Sequence, residues 1–396
     1  MTTRRKEAAK VLVVGAGPVG LFTALSAARR GLEVELIDQN WRGYTRGHAT
    51  LLHPHSLRLL GELGLGEKVR RAGQVLDRFV ISVDRARVAT LELPEPALAV
   101  PQTTLEEILL EATRASGVEL KAPYQATSIA QTRDHVRIGV IRRELVRLGS
   151  PAQYSAWEPV ESFSWQADFV IGADGYDSGV RSALGIEAVD LNGAETFAIF
   201  EFPSAVPPSS EIELSFEGDL GATLLSLPGG RVRAAFRTTH GFDEIQDLEH
   251  LRRLVSARMP GYQGVGDSID WGLMTHFERR LVRRFGVGRV WLAGDAAHVT
   301  SPFGGQSMNA GIREGHEYVA RIASAADAAE AKQSLGAFAE RETREWYRLL
   351  GVNVTFELLP HAPPWLKAHA RRIVPALPAT MPELDGLLEQ LGVAIR

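Results

Sequence analysis

Residues 11–38, VLVVGAGPVGLFTALSAARRGLEVELID, decide the architecture. Val11 to Val14 is an uninterrupted apolar run of strand length. Glycines follow at 15, 17 and 20, Leu21 to Arg29 reads as a helix, and Gly31 ends it. Val34 to Ile37 is a second apolar strand, closed by Asp38. A strand, a glycine turn, a helix and a parallel strand form a βαβ unit. The first glycine permits the tight turn, the second lets a pyrophosphate approach the backbone, and the third lets helix and strand pack closely. An acid at the end of the second strand suits a free ribose hydroxyl and disfavours a phosphorylated one. The stretch predicts a dinucleotide site built from Gly15, Gly17, Pro18, Val19, Gly20, Asp38 and Gln39.

Residues 288–314, GRVWLAGDAAHVTSPFGGQSMNAGIRE, carry a second pattern. An apolar strand ends in Gly294-Asp295, a loop follows with Pro302 and the pair Gly304-Gly305, and a helix starts at Gln306. A carboxylate at a strand end suits a sugar hydroxyl. Glycines just before a helix bring backbone N–H groups and a positive helix end against a ligand. A third pattern, DFVIGADGYDSGVR at 168–181, places Asp174 after another apolar strand.

Together these three motifs resemble the fingerprints of the single-component FAD-dependent aromatic hydroxylases, the p-hydroxybenzoate hydroxylase-like flavoprotein monooxygenases, over roughly residues 10 to 325. The resemblance implies an α/β fold. It has a Rossmann-like, glutathione reductase-type FAD domain (1–75, 100–185 and 277–325), an inserted antiparallel β-sheet substrate domain (76–99 and 186–276) and a C-terminal helical region (326–396). It also implies FAD as cofactor, NADH or NADPH as transient co-substrate, and O2. Oxygen would add at the flavin C4a, and the resulting hydroperoxide would attack an electron-rich, phenolic or polycyclic aromatic ring. The loop Pro302, Phe303, Gly304 and Gly305 would lie beside the isoalloxazine, with Phe303 either a hydrophobic wall or packing the loop. Backbone N–H groups of Gln306, Ser307, Met308 and Asn309 would stabilise charge near N1 and O2, and Asp295 would hold the ribityl chain. Gln102, at the start of the amphipathic run QTTLEEILLEA, resembles the family's ribityl-side glutamine. Counting back from Leu52-His53-Pro54, the family's flavin arginine falls on His48, with Arg46 two residues earlier; either supplies the contact. His53 and His55 read as structural. Asp174 and Arg181 would serve FAD and the nicotinamide nucleotide, or Arg181 would pair with Asp174 or Asp177. No base is assigned; His240, His276 and Tyr176 are candidates.

Bulk properties bound the alternatives. The chain has 396 residues, 45% of them hydrophobic, and a net charge of -4; it can bury a large core and lacks the basic footprint of a nucleic-acid binder. It has no cysteine, which excludes disulfides, thiolate metal sites and cysteine nucleophiles. A metal is not expected. Arg4-Arg5 invites a twin-arginine export reading, but the apolar run after it is short and turns at three glycines. No stretch approaches the roughly 20 apolar residues of a membrane span. A cytoplasmic monomer or homodimer is expected, and the C-terminal stretch leaves no room for the thioredoxin-like domain of larger family members.

Val136 to Val140 and Phe163 to Val170 read as paired strands, with Ile141 to Ser162 between them as a surface insertion. Between Thr196 and Thr238 short strands alternate. Ile212, Leu214 and Phe216 oppose Glu211, Glu213 and Ser215, while Val232, Ala234 and Phe236 oppose Arg231, Arg233 and Arg237. An apolar face over the pocket would make it greasy; an arginine face would favour an acidic substrate. The arginines are expected to line solvent. Rivals are an epoxidase or Baeyer–Villiger-type oxygenase on the same fold, a flavin-dependent halogenase (whose Trp-x-Trp-x-Ile-Pro signature is absent), an NAD dehydrogenase and a flavin binder without catalysis.

Overall fold

The computed structural model describes residues 9–40, 50–148, 154–239, 247–352, 354–380 and 383–395. A six-stranded sheet runs in the order Gly286–Val287, Val290–Leu292, Phe169–Gly172, Lys10–Val14, Glu33–Ile37, Leu120–Lys121. All neighbours are parallel except the first pair. Strands this apolar suit a parallel sheet covered on both faces. Helix Pro18–Arg29 packs on it with the N-terminal part of helix Gln306–Ser324, so closely that a Cβ on Gly311 would lie 2.7 Å from the Gly294 Cα.

The register brings the three sequence motifs together. Val14 pairs with Gly172, and Gly172 with Leu292. The turns that follow, at Gly15, Ala173 and Ala293, therefore leave the carboxyl end of the sheet side by side, where open α/β sheets bind ligands. Ala173 N–H donates to the Val14 carbonyl at 2.7 Å and Ala293 N–H to Gly172 at 2.9 Å, which ties the three turns to one another.

A nine-stranded sheet covers this end. Its order is His298–Val299, Trp271–Val282, Ala188–Pro203, Arg231–Thr238, Leu220–Leu227, Glu211–Glu217, Gln74–Val83, Ala86–Ala99, Leu51–Leu52. The expected boundary at 276/277 falls inside the single strand Trp271–Val282, and Leu51–Leu52 and His298–Val299 edge this sheet although they were expected in the other domain. The two sheets share no strand, but the nine-stranded one takes its edge strands from segments expected in the FAD domain.

Residues 141–162 are not a loop insertion. Strands Val136–Leu148 and Tyr154–Ala167 pair along their whole length, and Tyr124–Gln131 completes a three-stranded meander. Beyond Arg142 the hairpin has only two strands, so both faces carry polar residues and the alternation that marks a half-buried strand is lost. Beyond Ser324, helices Ala328–Leu350, Leu366–Ile373 and Glu383–Leu391 flank the small pair Phe356–Leu358 and Val393–Ile395. Among the described residues no helix is long and apolar enough to cross a membrane, and no group of three or more His, Asp or Glu could hold a metal.

The far face of the large sheet has its own core. Phe200, Phe202, Val232, Ala234 and Phe236 pack against Leu251, Val255 and Met259 of helix Leu248–Arg258. Glu213 lies on this far face, and burial, with the Glu211 charge beside it, pushes its carboxyl up to about 7 despite Arg87. A carboxyl whose folded pKa is raised stabilises the fold below its unfolded pKa and loses that contribution as pH climbs through the folded value. Glu213→Gln is therefore expected to hold its Tm more nearly constant than wild type between about pH 5 and about pH 8, as followed by scanning fluorimetry. Glu342, also raised to about 7 by burial, keeps its share of the slope in both proteins. Identical pH profiles would remove Glu213 from the account.

Candidate active site

Between the parallel sheet and the nine-stranded roof lies a cavity of about 440 Å³. Gly15, Gly17, Pro18, Val19, Asp38, Gln39, Gln102, Asp174, Asp295, Pro302, Gly304, Gly305, Gln306, Ser307 and Met308 all line it. Gly20, Gly294, Phe303 and Asn309 lie outside the lining, and Arg46 and His48 lie outside the described residues.

The glycine loop is shaped by close approach. Gly15 has φ +106°, and a Cβ there would sit 2.2 Å from the Ala173 carbonyl oxygen; a Cβ on Gly20 would sit 1.9 Å from the Gly15 oxygen. A Cβ on Gly17 would meet nothing within 4 Å, because Gly17 faces the cavity. Gly17 caps helix Pro18–Arg29 without a side-chain acceptor, so the first N–H groups of that helix are left for a ligand. Asp38 accepts from Ala16 N–H at 2.7 Å and Asn40 N–H at 2.6 Å. Burial raises its pKa against these bonds.

The second helix end is similar. Gly304 has φ +78° and Gly305 φ +66°, a left-handed pair that few other residues adopt. Helix Gln306–Ser324 starts at Gly305, again with no side-chain cap. His53 Nε2 hydrogen-bonds the Gly304 carbonyl at 2.6 Å, and full burial lowers its pKa to about 4, so it is a neutral imidazole clamping the loop. The Gln306 side chain donates to the Leu377 and Ala379 carbonyls, and Asn309 bridges Leu51, Gly305 and His53 N–H. Both amides brace the loop, and the uncapped backbone N–H groups of this helix end are left for a ligand.

The Asp295 carboxylate opens onto the cavity and has no hydrogen-bond partner among the described residues. Surrounding protein raises its pKa, against the nearby His298 charge and with that of Glu314. Asp174 differs. Its carboxylate accepts from Ser178 Oγ at 2.5 Å and Val180 N–H at 3.0 Å, fixing the short helix Gly179–Ala183. Arg181 pairs with neither Asp174 nor Asp177 by hydrogen bond; it donates to the Ala296 and Tyr176 carbonyls and joins the second and third turns.

Two expectations are corrected. Phe303 does not line the large cavity. Its ring meets Phe197 edge-on at 5.2 Å and nests where Gly221 has no side chain. Nor do all the arginines of Arg231–Thr238 line solvent: Arg231 and Arg237 stay partly exposed, but Arg233 is buried. Ala235 and Arg233 face the cavity with Ile199, Ile212, Thr223 and Leu225. Strand pairing puts Ile212 beside Leu225 and Leu225 beside Arg233, so the apolar face of one strand continues as the arginine face of another. Arg233 is only 8% exposed; its Nε donates to Glu201 at 2.8 Å and its guanidinium lies 5.4 Å from the Trp271 ring centre. Glu201 also accepts from Arg231 at 3.0 Å. Both faces of this sheet are buried, so alternation alone could not orient it. The Arg–Glu pairing that buries Arg233 spans 32 residues, beyond any local pattern.

Of the base candidates, His240 lies outside the described residues and His276 outside the cavity lining. Tyr176 lines the cavity, donates to Glu278 at 2.9 Å, and has its pKa raised by burial and by that bond, which makes it a poor base near neutral pH.

The residues present fit a flavin dinucleotide: two helix ends without side-chain caps, an open glycine and a carboxylate unpartnered among the described residues converge on one cavity. The chain is 26% identical to the 6-methylpretetramide 4-monooxygenase of Streptomyces rimosus over 361 residues, 87% of this chain and 61% of that protein. It thus spans about 61% of the length of this curated relative. Its fold is similar to the p-nitrophenol 4-monooxygenase PnpA of Pseudomonas putida DLL-E4, with a TM-score of 0.67 at 19% identity over 97% of this chain and 98% of that one. It is also similar to the flavin-dependent halogenase CmlS, with a TM-score of 0.71 at 18% identity over 87% of this chain and 64% of that one; the fold by itself does not choose the reaction. The model of the FAD binding domain family matches residues 8–348, and the chain belongs to that family.

Proposed function

We propose that the chain is an FAD-dependent, NAD(P)H-consuming monooxygenase that hydroxylates a phenolic or polycyclic aromatic small molecule. The supporting observation is one continuous cavity that joins the dinucleotide loop to a mostly apolar roof. The relative and one of the two structural neighbours named above are monooxygenases.

Bound FAD supplies the redox and oxygen-activating chemistry. In this reading the N–H groups behind Gly17 hold the pyrophosphate and Asp38 the adenosine ribose. Asp295 accepts from a ribityl hydroxyl, and Gln102, held by its bond to Glu106, approaches the same chain. The uncapped N–H groups at Gln306 to Met308 face the electron-rich edge of the ring system. Ile199, Ile212, Leu225 and Ala235 keep water from the reacting face.

Flavin absorption bands in the purified or FAD-reconstituted protein, with NAD(P)H oxidation stimulated by one class of phenols and an oxygenated product, are the expected result. A protein that binds no flavin would end this reading. Asp295→Ala is expected to keep the wild-type Tm, since the carboxylate makes no bond within the fold, while weakening FAD about tenfold, the worth of one charged hydrogen bond. Equilibrium dialysis with FAD measures it, and unchanged affinity would take Asp295 out of the site.

A further inference from the structure

Beyond the matched residues 8–348, the chain returns to the glycine pair Gly304-Gly305 from behind. Helix Leu366–Ile373 lies on the turn that joins two roof strands, Glu211–Glu217 and Leu220–Leu227. Arg372 donates to the Gly218 carbonyl at 2.7 Å and pairs with Asp219 at 2.5 Å. Its guanidinium lies 5.8 Å from the Phe216 ring centre, and the His369 ring centre lies 5.6 Å from the same ring. From Val374 to Thr380 every residue is then buried. Pro375 and Pro378 fix the backbone and lack an N–H, so this stretch runs as a strap and not as a ladder strand.

Two contacts tie the strap to the loop. The Gln306 amide donates to the Leu377 and Ala379 carbonyls at 2.6 and 3.0 Å. The Gly304 backbone lies against the Ala376 backbone, so closely that a Cβ on Gly304 would sit 2.8 Å from the Ala376 carbonyl carbon. Glycines have no side chain to fix their own conformation and are the freest residues in an unbraced loop. His53 and Asn309 hold the pair toward Leu51, and the strap holds it from the C-terminal side. No described residue of the strap lines the large cavity, so the strap acts on a ligand through the loop alone. At its other end it grips two strands whose Ile212, Thr223 and Leu225 do line that cavity.

On these grounds we propose that residues 366–380 are a coupling strap, with the Gln306 amide and Arg372 as positioning groups at its two ends. The strap makes flavin binding at the helix Gln306–Ser324 and the seating of the roof turn one cooperative unit. The proposal rests on the flavin reading above and adds this C-terminal segment to the site. Coupling between two sites is reciprocal: whatever the strap contributes to FAD binding, bound FAD returns to the strap.

The test is equilibrium dialysis of FAD with wild type, Gln306→Met, Arg372→Ala and the double variant, joined to amide hydrogen exchange of residues 366–380 with and without FAD. Gln306→Met keeps the side-chain length, removes the donor and is expected to weaken FAD about tenfold. Arg372 lines no part of the large cavity, and its side chain is 31% exposed, so its loss leaves the fold intact. Arg372→Ala is nevertheless expected to weaken FAD about threefold. The double variant should bind no worse than Gln306→Met, because a strap already cut from the loop transmits nothing from its far end. In wild type, FAD should slow exchange in the strap about tenfold. Wild-type affinity in Arg372→Ala, or additive losses in the double variant, would overturn the proposal. Should Gln306→Met not fold, wild-type exchange and Arg372→Ala decide it. A wild type that takes up no flavin overturns both readings. One that binds FAD while the strap exchanges at the same rate with and without it overturns this one alone.

Discussion

Gly17→Val is expected to give a folded protein without FAD, and Gly20→Val a protein that does not fold, although the two glycines sit three residues apart in one loop. Gly17 has φ -71°, which any residue adopts, and a Cβ there points into open cavity. The cost to the fold is that of a poor N-cap, about 1 kcal/mol. The isopropyl group would occupy the space in front of the helix N–H groups, where a pyrophosphate must come. Losing two charge-assisted hydrogen bonds, at roughly 1.5–3 kcal/mol each, weakens FAD by about a hundredfold or more. At Gly20 the added Cβ would fall 1.9 Å from the Gly15 carbonyl oxygen, a clash between backbones that no rotamer relieves. Thermal melts by circular dichroism with the flavin spectrum separate the outcomes. A Gly17→Val protein that still holds FAD at wild-type affinity would show that the dinucleotide does not lie along this loop.

The three strand ends were legible in the sequence because each is a buried parallel strand that stops at a glycine, and such strands read as apolar runs. Their adjacency was not legible, because Phe169–Gly172 and Val290–Leu292 are separated in the chain by the strands of the roof. The roof was legible as alternating strands but not in its orientation. Val232 and Phe236 face a helix while Arg233 and Ala235 face the cavity, so neither side looks onto open solvent as a simple amphipathic sheet would. Arg233 reads as a surface residue until Glu201, on a neighbouring strand, neutralises it. Gln306 and Asn309 carried a motif signal whose physical reason is different from the one it suggested: their amides brace the loop from behind. The hairpin beyond Arg142 was missed for want of any periodicity.

Glu314→Ala is expected to cost on the order of 3–5 kcal/mol, the range for removing one partner of a buried charged pair. Glu314 has no solvent exposure and accepts four hydrogen-bond contacts: Gly294 N–H at 3.0 Å, His298 Nε2 at 2.8 and 2.9 Å to its two oxygens, and Trp346 Nε1 at 3.3 Å. The His298 ring stacks on Trp346 with centres 4.0 Å apart, so the carboxylate also holds an aromatic layer in place. Truncation would strand an imidazole and two N–H donors away from water. Burial alone would raise the Glu314 pKa, but the His298 charge, the His298 hydrogen bond and the Gly294 N–H together hold it below the usual carboxylate range. A carboxyl with a depressed folded pKa contributes stability above its unfolded value, near 4.3, and loses it as pH falls through the folded one. Glu314→Gln keeps the shape and an acceptor but not the charge. Its deficit against wild type in urea unfolding should be full at neutral pH and shrink as acid protonates the wild-type residue. Gly294 directly precedes Asp295, so releasing its N–H in Glu314→Ala should also loosen Asp295 and reduce FAD retention, more than in Glu314→Gln, which keeps an acceptor. An alanine variant within about 1 kcal/mol of wild type, or a glutamine deficit that is flat with pH, would mean that this buried pair does not set the turn that presents Asp295.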